Sequence, residues 1–201
     1  MPEYTYHEQV DIRNTRKLRA ILETLPRFCQ DFFRGIEPTS SSRTRLAYAY
    51  DLRVFFEFLK ATNPALKDIP MTDIKIDILD QIKAIDIEEY LSYLTYYKSD
   101  EGERLNRENG KKRKLVSLRS FYNYYFKKEM IQTNPAALVS VPKLHDKAII
   151  RLDIDEVARL LDEVESAQSL TKKQQQFHEK TKVRDLAIMT LLLGTGIRVS
   201  E

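Results

Sequence analysis

The chain has little of what folds outside the all-helical class require. Five glycines and seven prolines are spread over 201 residues, too few for the turns of an all-β or loop-rich protein. One cysteine, Cys29, is present, so no disulfide can form within the chain. That usage fits a reducing compartment, and the expected location is cytoplasmic. No apolar run approaches the roughly 20 residues that span a bilayer. The opening stretch MPEYTYHEQVDIRN is polar, which predicts no signal peptide and no membrane partner. The three histidines, His7, His145 and His178, are far apart and share no ligand-like spacing with Cys29. No metal site is expected from them, and no motif calls for a cofactor.

What is present is helix-forming and charged. With 42% hydrophobic and 31% charged residues, the chain can bury a core and is not compositionally disordered. Its length admits one domain or two small ones, and its long runs of Leu, Ala, Glu, Lys and Arg favour helix. The net charge is only +3, but the distribution is uneven. GKKRKLVSLR (110–119) holds five basic residues and no acidic one, directly after the acidic-leaning SDEGERLNRE. Such a cluster fits a docking surface for phosphates, and it also fits a solvated helix face.

Apolar spacing predicts the elements. A first helix is expected over about 15–34, closed by Gly35 and Pro38. A second follows in SSSRTRLAYAYDLRVFFEFLKAT, capped by Ser40, Ser41 or Ser42. Its core stripe is Tyr48, Leu52, Phe55, Phe56 and Leu59, with Arg43, Tyr50 and Arg53 opposite. The stretch 63–84 is a weaker connection with one short helix near Asp73. DIEEYLSYLTYYKS (86–99) reads as a third helix with an Asp86–Glu89 capping box. A loop then leads to a fourth, whose stripe is Leu115, Leu118, Tyr122, Tyr125 and Phe126, with Arg113, Ser117, Ser120, Tyr124 and Lys127 on the far side. These helices predict a mainly α, four-helix bundle over 1–141. Residues 142–147 read as a linker and 148–201 as a second module, opened by a capping box of Asp153 with Glu156. Within it, QSLTKKQQQFHEK reads as a surface loop or frayed helix end. KVRDLAIMTLLLGTG is too apolar for a surface helix and should run through the middle of a module. About 54 residues supply few partners for it, so the module reads as incomplete.

VRDLAIMTLLLGTGIRVSE resembles the first catalytic box of the tyrosine recombinases, the phage-integrase and Xer-type family: a buried helix, a Thr-Gly turn, then Arg, one residue, Ser and Glu. TRLAYAYDLRVFFEFL and RKLVSLRSFYNYYFKKEMIQTNPAALVSVPKL resemble two helices and the linker of that family's N-terminal core-binding domain. The resemblance spans about 40–201 with the order of elements kept. It implies a SAM-like DNA-binding bundle followed by the mostly helical start of a catalytic domain. The activity implied is site-specific strand cleavage and rejoining through a 3′-phosphotyrosine. Arg198 would clamp the scissile phosphate, a task suited to a planar, permanently charged guanidinium, and Glu201 would support that geometry. Gly194 and Gly196 would allow the turn that exposes the arginine.

By the same resemblance the bundle would grip a double-stranded recombination site through Arg43, Arg45, Tyr50, Lys111, Lys112, Arg113 and Ser117. Further recombinase protomers would complete a tetrameric synapse. The family's remaining catalytic groups, a hairpin Lys, a His-x-x-Arg motif, a further His or Trp and the nucleophilic Tyr, lie downstream of this box. The chain is therefore expected to be the N-terminal part of a recombinase, binding DNA but inactive alone. The alternative reading is a non-catalytic helical module for DNA or protein binding. SFYNYYF could stack bases, but its helical spacing favours core packing.

Overall fold

The computed structural model describes residues 4–99, 102–143, 151–167 and 170–199. The chain is mainly α and divides into two compact units, residues 1–145 and 146–201.

In the first unit, Thr5 opens α1 (Tyr6–Leu22) with a capping box to Glu8. α2 is Cys29–Ile36. The single helix expected over 15–34 is thus two, broken around Pro26, whose missing N–H and ring end a helix. Gly35 does not close the first helix but lies within α2. A Cβ there would stand inside the edge of the Tyr124 ring, so the close approach of α2 to its neighbour requires glycine. Ser41 caps α3 (Ser42–Thr62), its Oγ accepting from Thr44 N at 3.2 Å. The weak connection after it contains α4 (Ile78–Gln81) and 3₁₀ turns over Pro64–Leu66 and Met71–Asp73.

α5 is Ala84–Tyr93, so Asp86 is not its cap. Asp86 sits in the first turn, its Oδ2 accepting from Lys83 N at 2.7 Å. The expected helix to residue 99 instead gives way to β1 (Tyr96–Ser99), which pairs antiparallel with β2 (Gly102–Leu105), Tyr97 opposite Arg104. Tyr96 and Tyr97, strand-favouring aromatics, are the signal passed over there. α6 (Glu108–Lys127) follows, then α7 (Pro135–Leu138), capped by Asn134. Among the described residues the first unit has five helices of eight residues or more, one above the expected four.

The core lies where α2, α3, α5 and α6 meet. Phe121 is fully buried, its ring centroid 5.1 Å from those of Phe32 and Tyr125 and 6.1 Å from Phe28 and Phe56. Phe55 meets Tyr90 edge-on at 5.1 Å. These are favourable aromatic geometries. The stripe on α3 is as expected at Leu52, Phe55, Phe56 and Leu59, which are all buried. On α6, Phe126 is exposed, and Phe121 occupies the buried position in its place.

In the second unit, α8 (Ile154–Ser166) starts at the expected capping box: Asp153 Oδ1 accepts from Glu156 N at 2.8 Å, and Glu156 Oε2 from Asp153 N at 2.9 Å. α9 (Lys172–Thr195) is longer than expected, because Thr171 caps it and the polar segment before the apolar run is helical. His178 Nε2 lies 2.7 Å from Val164 O, tying α9 to α8. None of the described residues of α8 or α9 is buried; Val183, Ile188 and Leu191 are exposed. The apolar run of α9 thus has few partners within this unit, as expected for so short a module, and α8 is the helix packed on it. Among the described residues no helix is long and apolar enough to cross a membrane.

Candidate nucleic-acid interface

The N-terminal halves of α3 and α6 run side by side and leave a groove of about 550 Å³ between them. Arg43, Thr44 and Tyr48 of α3 face Asn109, Lys112, Arg113 and Val116 of α6 across it. Three of the seven residues expected to meet DNA, Arg43, Lys112 and Arg113, thus meet in one groove although about 70 residues separate the two segments.

The other four are placed differently. Arg45 is turned inward: its Nη1 donates to Glu37 O at 2.9 Å and Ser40 O at 3.0 Å, and its Nη2 lies 3.4 Å from Glu37 Oε1. Its side chain is 11% exposed and fixes the turn that leads into α3. Ser117 is buried, its Oγ donating to Lys114 O at 2.9 Å, so it offers nothing to a ligand. The far-side assignment failed there because α6 is covered on more than one side. Lys111 is largely covered as well, its Nζ 3.7 Å from Glu108 Oε1. Tyr50 is exposed but faces a second cavity, with the Arg53 Cζ 5.2 Å from its ring centroid.

The basic run 110–119 therefore divides. Lys114 is buried, and its Nζ donates to Asp51 Oδ1 at 2.7 Å. Arg113 Nη2 donates to the same oxygen at 2.7 Å while its side chain stays 53% exposed. Arg119 Nε donates to Ala136 O at 3.0 Å and Nη2 to Val139 O, pinning α7 to α6. Lys112 and Arg113 remain on the groove. The residues missed in the sequence are Asp51 and Lys114. Asp51 is one of two carboxylates of α3 beside its apolar stripe, with Glu57, and only the fold shows that Asp51 is the buried one, where a buried charge requires a paired cation.

The second cavity, a polar cleft of about 250 Å³, lies beside the groove and is reached by the hairpin. Arg53 and Glu57 of α3, Tyr97 of β1, Arg104 of β2 and Arg113 and Lys114 of α6 line it. Burial pushes the Tyr97 phenol up, while a hydrogen bond with Asn106 and the charge of Arg104, its cross-strand partner, pull it down. Burial and the Asp51 charge push the Tyr90 hydroxyl up.

At the other end of the chain, α9 stops at a left-handed Gly196 (φ 66°), whose N–H donates to Leu192 O at 2.9 Å. Thr195 Oγ1 donates to Leu191 O at 2.6 Å. Gly194 stays helical. The turn exposes Arg198, and Glu201 lies outside the described residues. Tyr122 and Tyr125 are buried in the first unit with their phenols pushed well up, chiefly by burial, the reverse of what an attacking phenolate needs. Cys29 is likewise buried and held as a thiol. Among the described residues no group of His, Cys, Asp and Glu could hold a metal ion.

The chain is 36% identical over 168 residues to the tyrosine recombinase XerC of Caldanaerobacter subterraneus subsp. tengcongensis, matching 80% of this chain and 42% of that protein. It is 32% identical over 167 residues to the XerC of Leptospira interrogans, matching 83% of this chain and 44% of that one. The chain belongs to the Xer-type tyrosine recombinases. The XerD of Shewanella oneidensis is a further relative, 30% identical over 161 residues, with 80% of this chain and 43% of that protein matched. The chain spans less than half the length of each of these three relatives. No family model and no solved structure matches it.

Proposed function

We propose that the first unit is the DNA-binding part of a site-specific recombinase and that the second begins its catalytic domain. The observation that carries this is the α3–α6 groove, where Arg43, Lys112 and Arg113 converge from two helices. Helices that present cations at one groove suit a duplex backbone, whose phosphates supply the sequence-independent part of binding. Arg113 is held by Asp51 with its guanidinium half in solvent, so it is oriented before DNA arrives.

Arg198 is the group proposed to hold the scissile phosphate. Negative charge grows on the non-bridging oxygens as the phosphodiester is attacked, and a guanidinium binds two such oxygens at once. The Gly196 turn places Arg198 just past the end of α9, and Glu201 would steady it. The nucleophilic tyrosine and the second arginine belong, on this reading, to the part of the family's length that this chain does not span. Arg198→Ala in a protein of full family length should lower cleavage by about 10²–10³ and leave duplex affinity nearly intact. On this reading further protomers assemble on a double-stranded site.

The test is a fluorescence-anisotropy titration of a labelled 30-base-pair duplex at several KCl concentrations. The reading predicts that log K falls linearly with log salt, with a slope of about −0.9 for each phosphate neutralised. Absence of binding at low salt, or binding indifferent to salt, contradicts it.

A further inference from the structure

The hairpin β1–β2 places a strand residue, Arg104, on the wall of the polar cleft, where it joins Arg53, Arg113 and Lys114. Among the described residues that line or back the cleft, four cations stand with two carboxylates, Glu57 on the wall and Asp51 buried behind it. The volume of the cleft, about 250 Å³, is below the roughly 300–1,000 Å³ of small-molecule pockets and suits a group the size of a phosphodiester. Arg113 lines both this cleft and the α3–α6 groove, so the two cavities are neighbours along one face. A strand that follows one would carry a phosphate toward the other.

We propose that the hairpin cleft is a second seat for the DNA backbone, taking one phosphodiester outside the α3–α6 groove, with Arg104 as the residue that closes on it. This rests on the reading of the first unit as a DNA-binding domain. It assigns the hairpin a part in binding: extending the footprint by a contact that the two helices alone do not make. Lys98 serves as an internal control. It is on the same hairpin, carries the same charge, is paired with Glu103 at 3.3 Å, and does not line the cleft.

The experiment is the salt titration of duplex binding, on the 201-residue chain, for wild type, Arg104→Ala and Lys98→Ala, with circular dichroism confirming that each variant folds. Arg104→Ala is expected to flatten the log–log slope by about 0.9, one phosphate contact, and Lys98→Ala to leave it close to wild type. Equal slopes for Arg104→Ala and wild type overturn the cleft while leaving the groove reading intact. Equal flattening by both variants overturns it too, since it would mark a diffuse charge effect of the hairpin. If wild type binds no duplex, both readings fall. Repeating the titration in potassium phosphate at equal ionic strength tests whether the cleft takes a phosphate group. If the cleft seats a backbone phosphate, the free ion competes for it and the difference between Arg104→Ala and wild type shrinks; a difference untouched by phosphate shows that the cleft takes no phosphate group and overturns the proposal.

Discussion

Asp51 and Lys114 lie 63 residues apart in the chain and meet in the interior of the first unit, Lys114 Nζ 2.7 Å from Asp51 Oδ1, with both side chains buried. Arg113 donates to the same oxygen, and Asp51 Oδ2 has no hydrogen-bond partner among the described residues. The contact fastens α3 to α6. It therefore sets the spacing of the two helices whose N-terminal halves carry Arg43, Lys112 and Arg113.

A buried pair adds little stability over a well-packed apolar one, but breaking it leaves a charge stranded. Asp51→Ala should therefore destabilise the first unit by about 3–5 kcal/mol in urea unfolding followed by circular dichroism. Lys114→Met in the same background should return much of that loss, because the stranded ammonium is gone. A double variant no better than Asp51→Ala would mean that the pair is not what the substitution disturbs.

Phe121 is the centre of the aromatic core, against Phe28, Phe32, Phe56 and Tyr125. Phe121→Ala should cost about 3–5 kcal/mol, read as a lowered urea midpoint. The exposed Phe126, five residues further along α6, should cost well under half of that when changed to Ala.

Stability should also fall in alkali. Tyr90, Tyr122 and Tyr125 have phenols pushed above their ordinary value of 10.0, burial being the chief cause in each. Below pH 10 both folded and unfolded chains hold these protons and nothing changes. Above it the unfolded chain releases them while the folded chain keeps them, so the unfolded state binds fewer protons and stability drops as pH rises. Thermal melts should be flat from pH 8 to about 9.5 as far as these groups are concerned, then decline toward pH 12. A melting temperature unchanged across that upper range would show that the three phenols ionise freely.

The sequence carried the helices wherever local signals were strong. Ser41 before α3 and the Asp153–Glu156 box before α8 mark their helix starts through side-chain hydrogen bonds that involve only neighbouring residues. It misled where the outcome depended on distant partners. Ser117 was placed by helical angle on an outer side, but α6 is packed on by α2, α3 and α7, and that side is covered. Arg45 looked like a surface cation because the carbonyls of Glu37 and Ser40 that hold it are set by the turn before α3. The basic run 110–119 could not be divided into inward and outward cations without knowing that Asp51 sits opposite Lys114. The span 86–99 predicts one helix to its end, and the strand that interrupts it depends on pairing with Gly102–Leu105 across the turn.

The most direct test of the account compares two pairs of cations, equal in charge and set at different places. Arg43→Ala with Lys112→Ala removes two charges from the α3–α6 groove. Lys127→Ala with Lys128→Ala removes two from the exposed far end of α6. Both double variants lower the net charge equally, so long-range attraction weakens alike in both. In the salt titration of duplex DNA the groove pair should flatten the log–log slope by about two units, and the far pair should leave it within half a unit or so of wild type. Equal flattening by the two pairs, or none by the groove pair, would contradict the account.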